Sequence, residues 1–198
     1  MTERIEKLIE EMSLEEKARQ LTQVNAKIVY TATTAAITGT GGAMGLSEED
    51  KAGIGSVLNF SGADEEKAVQ DDHLSKDPHK IPLIFMQDVI HGCHTIFPVP
   101  LALGCSFDEA LAEECAEMSA VESRLNGVQL TFSPMVDLVR DARWGRVMES
   151  TGEDPYLNGL MGKAFVRGYH KGGMLCCVKH FAAYGTAEAG REYNTTDV

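Results

Sequence analysis

Apolar positions along this chain switch repeatedly between helical spacing and short unbroken runs. Ile5, Leu8, Ile9 and Met12 recur at helical spacing, and Ser13-Leu14-Glu15-Glu16 reads as a capping box, so Ile5 to Thr22 is expected to form a helical hairpin or a kinked helix. From Asn25 to Lys51 the pattern dissolves into small, Thr- and Gly-rich sequence, expected as a surface loop or lid. Ile54 to Asn59 is a short strand candidate, Asp64 to Ser75 a polar helix, and KDPHK the turn into a strand, IPLIFMQD, that ends at Asp88. Ser106-Phe107-Asp108-Glu109 reads as a second capping box, opening a helix with Leu111, Cys115, Met118 and Leu125 on one face and a stop at Asn126-Gly127. Leu130 to Leu138 is an apolar run short enough for a buried strand. It empties into a crowded polar segment, Arg140 to Asp154. Asp154 and Pro155 fit the N-cap and first residue of a helix carrying Leu157, Leu160, Met161, Ala164, Phe165 and Gly168, ended by Gly172-Gly173. Met174 to Phe181 is the last expected strand.

Strand and helix therefore alternate, with strands apolar on both faces, as in a parallel sheet covered by helices. An open doubly wound sheet would gather its polar groups at one switch point. Here they follow strand after strand, as on the rim of a (β/α)8 barrel. The expected class is α/β, of (β/α)8 TIM-barrel type. Only four strands are countable and a barrel typically takes about 250 residues, so the barrel is expected to be incomplete, roughly its first half. Residues 1–198 would form one partial barrel domain, with helices over 3–22 and a variable loop over 25–53.

Composition narrows the partners. A 198-residue chain with 43% hydrophobic residues can bury a sizeable core, and a formal net charge of −12 argues against nucleic acid or an anionic membrane surface. No run approaches a membrane span, and MTERIEKLIEE carries no apolar leader core, so a cytoplasmic location is expected. The five cysteines are odd in number, lie mostly within apolar runs, and read as reduced core thiols. The stretch GTGGAMG lacks the third glycine of a dinucleotide loop and has no following GK[ST], so an ordinary loop is the better reading and no cofactor is expected.

Candidate chemistry lies at the ends of the strands. Asp88 follows an apolar run directly, where a carboxylate is costly unless it is paired or faces a wet cleft; a structural ion pair is the plainer alternative. Lys179 and His180 follow Cys176-Cys177-Val178 in the same way. Arg140, Arg143 and Arg146 flank Trp144, but Asp141, Glu149, Glu153 and Asp154 among them favour internal salt bridges for most. His91, Cys93 and His94 suggest a metal, yet no second ligand pair follows at the required spacing, so none is expected. Asn194-Thr195-Thr196 is a glycosylation sequon, which matters only in a secreted protein. Asp, Arg, Lys and His side by side suit a neutral polyol, whose hydroxyls both donate and accept.

Four segments in series, MSLEEKARQL, IPLIFMQDVIHGCHTIFPVPLALGCSFD, TFSPMVDLVRDARWGRVMESTGEDPYL and CCVKHFAAYGTAEAGREYNT, resemble the family 3 glycoside hydrolases, in particular their bacterial β-glucosidase and β-xylosidase branch. The resemblance implies an N-terminal barrel domain that binds the non-reducing sugar of a β-glucoside or β-xyloside. By position it implies Asp88, Arg146, Lys179, His180 and Arg191 as substrate-binding residues. His94 is the sixth, at a place where the family commonly has Arg or Lys, and Ala142 replaces the proline of RDPRWGR, which should loosen that loop. KHFAAYG, in place of a KHFPGHG-like segment, points away from N-acetylglucosamine. The family hydrolyses with retention through an aspartate nucleophile and usually a glutamate acid/base. Both places fall beyond Val198, so this chain would be a fragment needing the rest of its own sequence. The alternative is a truncated, inactive sugar-binding or interaction module.

Overall fold

The structure, a computed structural model, describes residues 2–26, 48–59 and 62–196. They fall into two compact units, Met1–Gln87 and Asp88–Val198.

In the first unit, α1 (Glu3–Glu11) and α2 (Leu14–Gln20) are the expected broken helix. Ser13 makes the break: its hydroxyl accepts from the Glu16 N–H at 3.2 Å while its own N–H donates to the Glu16 carboxylate at 2.8 Å. Next comes β1 (Gln23–Asn25), a strand the sequence pattern does not anticipate. Three residues with one apolar side chain, Val24, carry too little periodicity to register. A short helix, α3 (Glu48–Gly53), also replaces the end of the expected loop, while 27–47, with GTGGAMG, lies outside the described residues. β2 (Ser56–Leu58), α4 (Ala63–Lys76) and β3 (Ile84–Gln87) complete the unit. The three strands are parallel, with Val24 opposite Val57 and Val57 opposite Phe85. These side chains pack with Ala26, Ile54, Leu83 and Val69 in one core. The opposite strand face is more open: Ile84 is 39% exposed beside Phe85 at 2%, so burial of both faces does not hold here. Gln70 clips α4 to the sheet, its amide accepting from the Leu83 N–H at 2.9 Å and donating to the Leu83 carbonyl at 3.0 Å.

The second unit holds α5 (Pro100–Ser106), α6 (Glu109–Leu125), β4 (Leu130–Thr131), α7 (Pro155–Lys171) and β5 (Leu175–Cys176). β4 and β5 are parallel, Leu130 opposite Leu175. Two expectations about α6 need correction. Its N-cap is Asp108, whose carboxylate accepts from the Leu111 N–H at 3.1 Å, whereas Ser106 closes α5 by donating to the Leu103 carbonyl at 2.6 Å. Its buried face is Ala112, Cys115, Ala116, Ser119, Ala120 and Ser123, while Leu111, Met118 and Leu125 are exposed. Small residues win that face because α7 comes very close. A Cβ added to Gly168 would lie 2.2 Å from the Glu113 carbonyl oxygen, nearer than any side chain can approach. α7 starts as expected, with Asp154 accepting from the Leu157 N–H at 2.7 Å, and closes at Gly172.

The expected strands 130–138 and 174–181 are much shorter as regular ladders, but the two segments stay side by side through a parallel bridge between Met135 and Lys179. Of the cysteines, Cys115 is buried and Cys93 and Cys176 half-buried; Cys105 and Cys177 are exposed, against the core reading. Cys177 follows Cys176 on the other side of an alternating backbone, where the apolar run alone gives no warning of exposure.

Candidate active site

Asp88 opens the second unit on an anchored backbone. The Val89 N–H donates to the Thr131 hydroxyl at 3.0 Å, and the Val89 carbonyl accepts from the buried Tyr169 hydroxyl at 3.0 Å. Burial, against the bond to Ser133, pushes the Tyr169 phenol up, so it remains a neutral strut. Lys179 is fixed by main-chain bonds, its N–H donating to the Pro134 carbonyl at 3.0 Å and its carbonyl accepting from the Val136 N–H at 2.8 Å. Its ammonium meets Asp88 Oδ1 at 2.9 Å. Lys179 is 11% exposed and Asp88 45%, so the carboxylate is the more open partner.

His180 follows through a cis peptide bond, and its ring meets Asp137 through Nδ1. Asp137 Oδ2 is 3.0 Å from the His180 backbone nitrogen and 2.7 Å from Nδ1. On the ring's other side, Nε2 is 3.3 Å from Arg146 Nη1. Arg146 is also forked onto Glu149, Nε to Oε1 at 2.7 Å and Nη2 to Oε2 at 2.6 Å, and its guanidinium sits 5.4 Å from the centre of the Tyr184 ring. The Glu149 bonds raise the affinity of Arg146 for its proton. Burial would push the Glu149 carboxyl up, but the bonds and charge of Arg146 and the charge of Lys179 hold it below its ordinary value.

Aromatic side chains make the outer wall. Tyr184 stands edge-on to His180 and to Trp144, with centroids 4.7 and 5.3 Å apart, and stacks on Tyr193 at 6.2 Å. Glu192 ties the wall together, accepting from the Trp144 indole N–H and the Tyr184 hydroxyl. Burial and then the bond to Glu192 push the Tyr184 phenol up to about 12, against the pull of Arg146. A concavity of about 480 Å³ opens beside this wall, lined by Arg146, His180, Phe181, Tyr184 and Tyr193 among others.

Four of the six expected binding residues, Asp88, Arg146, Lys179 and His180, thus belong to two adjoining polar clusters. His94 and Arg191 do not join them. His94 is exposed, and its backbone N–H, with that of Thr95, donates to Glu122 on α6. Arg191 is exposed at the end of a 3-10 turn, its N–H donating to the Glu188 carbonyl. Arg143 is spent on Asp141, at 2.6 Å, and its hydrogen bonds hold the Asp141 carboxyl at about 2. The Arg140 backbone N–H donates to Gly185. Sequence reasoning gives no part to Asp137, Tyr184 or Glu192. Asp137 is hidden inside an apolar run, and the signal for Tyr184 was its place four residues past His180.

Chemically the clusters offer a carboxylate, an ammonium, an imidazole and an arginine with N–H groups to spare, since Arg146 uses three of five on Glu149 and His180. Among the described residues no three His, Cys, Asp or Glu side chains converge as a metal site, and no helix is long and apolar enough to cross a membrane.

Residues 13–198 match the glycosyl hydrolase family 3 N-terminal domain. The periplasmic β-glucosidase of Salmonella typhimurium is 39% identical over 151 residues, 73% of this chain and 20% of the relative. A xylan 1,4-β-xylosidase of Xylanibacter ruminicola is 34% identical over 140 residues, 56% of this chain and 16% of the relative. Among solved structures, a β-glucosidase of Listeria innocua in complex with laminaribiose superposes with a TM-score of 0.93 at 47% identity, over 100% of this chain and 29% of its own. This chain therefore spans about a fifth of the Salmonella relative and less than a third of the Listeria enzyme.

Proposed function

The chain belongs to glycosyl hydrolase family 3, and from that premise we propose that it supplies the sugar-binding part of a retaining β-glycosidase acting on terminal non-reducing β-D-glucosyl or xylosyl residues. The observation that carries this reading is the pairing of Lys179 with Asp88 beside the Arg146 and His180 cluster. Asp88 would accept from sugar hydroxyls, Lys179 and the free N–H groups of Arg146 would donate, and His180 would complete the hydroxyl contacts. The bonds to Asp88, Lys179 and Arg146 are charge-assisted, the stronger kind. Arg191 and His94 enter as further substrate-binding residues on the resemblance alone.

Retention needs two carboxylates about 5–5.5 Å apart, a nucleophile and an acid/base. We assign both to sequence beyond Val198, so residues 1–198 are a partial barrel domain that orients sugar and does not break the bond. The 29% coverage of the Listeria enzyme supports this division. The five free thiols support a cytoplasmic location; the Salmonella relative is periplasmic, and recovery of this protein from a periplasmic extract would overturn that part.

The test is release of nitrophenol from nitrophenyl β-glucoside and β-xyloside. The 198-residue chain is expected to release none, and a version extended through the further strands to release it readily. Turnover by the short chain would contradict the division. An extended version that binds glucose without turnover would favour a sugar-binding module instead.

A further inference from the structure

We propose that Asp137 is a positioning residue, which holds a neutral His180 ring with its proton on Nδ1 so that Nε2 faces the sugar site as a hydrogen-bond acceptor. The Asp137 side chain is 2% exposed, and one of its oxygens, Oδ2, meets both the His180 backbone nitrogen at 3.0 Å and Nδ1 at 2.7 Å. An ionised carboxylate only accepts, so Nδ1 must donate. Across the ring, Nε2 faces Arg146 Nη1 at 3.3 Å, and a guanidinium only donates, so Nε2 must accept. An imidazolium would set two N–H groups against each other there. The tautomer of a histidine follows the bond its other nitrogen makes, and here both nitrogens select the same one. Asp137 is itself held, its carbonyl accepting from the fully buried Ser150 hydroxyl at 2.7 Å.

The use of this arrangement rests on the sugar site proposed above. At 3.3 Å the Arg146 contact is longer than an ordinary N–H bond. A sugar hydroxyl entering there can donate to Nε2 while its oxygen accepts from Nη1, replacing one long bond by two short ones. The site then selects a free hydroxyl at that position of the sugar and disfavours a deoxy or O-methyl group.

The experiment is long-range proton–nitrogen correlation on nitrogen-15 histidine-labelled protein, combined with glucose titration, for the chain and two variants. The unsubstituted protein is expected to show the Nδ1–H form of His180 at neutral pH; the Nε2–H form or an imidazolium would overturn the proposal. Asp137→Asn should keep the Nδ1–H form, because a single oxygen receives both bonds and the amide oxygen can take its place. Asp137→Leu should lose it and bind glucose about tenfold more weakly. A folded Asp137→Leu protein that keeps the Nδ1–H form would overturn the role of Asp137, and if that variant does not fold, Asp137→Ala takes its place with the same two readings. A switched tautomer with unchanged glucose binding would overturn the sugar site while leaving the tautomer assignment intact.

Discussion

Asp88 and Lys179 were legible as single residues because each ends an apolar run, where an ionisable side chain must be explained. Removing Asp88 takes away the acceptor of the pair, and Asp88→Ala is expected to weaken glucose binding about ten- to hundred-fold by calorimetry, the scale of one hydrogen bond to a charged group. Tyr184 supports a pH prediction. Its folded pKa, about 12, lies above the ordinary 10.0, so its contribution to stability is complete below pH 10 and is lost as the pH rises through about 12. Tyrosinate absorbance should show a late component near pH 12 that Tyr184→Phe removes; an unchanged titration curve would refute the assignment. The sequence hides such residues because their partners are distant: Asp137 meets His180 across 43 positions, and Trp144 meets Glu192 across 48. No local pattern records those pairings.

At the scale of elements, caps and stops were readable and buried faces less so. Asp154 caps α7 as its sequence indicates, and Asp154→Ala should cost about 1 kcal/mol in a denaturant titration. The buried face of α6 was misleading, because hydrophobicity favours Leu111, Met118 and Leu125 while close approach to Gly168 of α7 demands Ala, Ser and Cys. Two glycines of α7 test that explanation against each other. Gly168→Ala forces a methyl group against the Glu113 carbonyl and should destabilise by about 1–3 kcal/mol. Gly159, with nothing within 4 Å of an added Cβ, should tolerate alanine. That substitution should gain about 0.4–1 kcal/mol, because it restricts the unfolded chain. Equal effects at both positions would remove the case for a small-residue seam. Gly190 meets a similar demand near the site: its φ is +66° and an added Cβ would lie 2.8 Å from the backbone of Arg143 and Trp144.

For the molecule as a whole, alternation of strand and helix was enough to read an α/β chain of barrel type, and β1 was lost only because three residues carry no period. Leu21, Leu125, Leu175, Val178 and Phe181 remain exposed, a burden for a chain in isolation. Light scattering of the 198-residue protein should therefore show association; a well-behaved monomer would count against its being part of a larger barrel. The central claim is that Asp88, Arg146, Lys179 and His180 bind the sugar. The most direct measurement is a glucose titration followed residue by residue by NMR. The signals of these four residues should move together and saturate, and in Asp88→Ala the response should move to about ten- to hundred-fold higher glucose. Saturable shifts elsewhere, with these four unmoved, would contradict it.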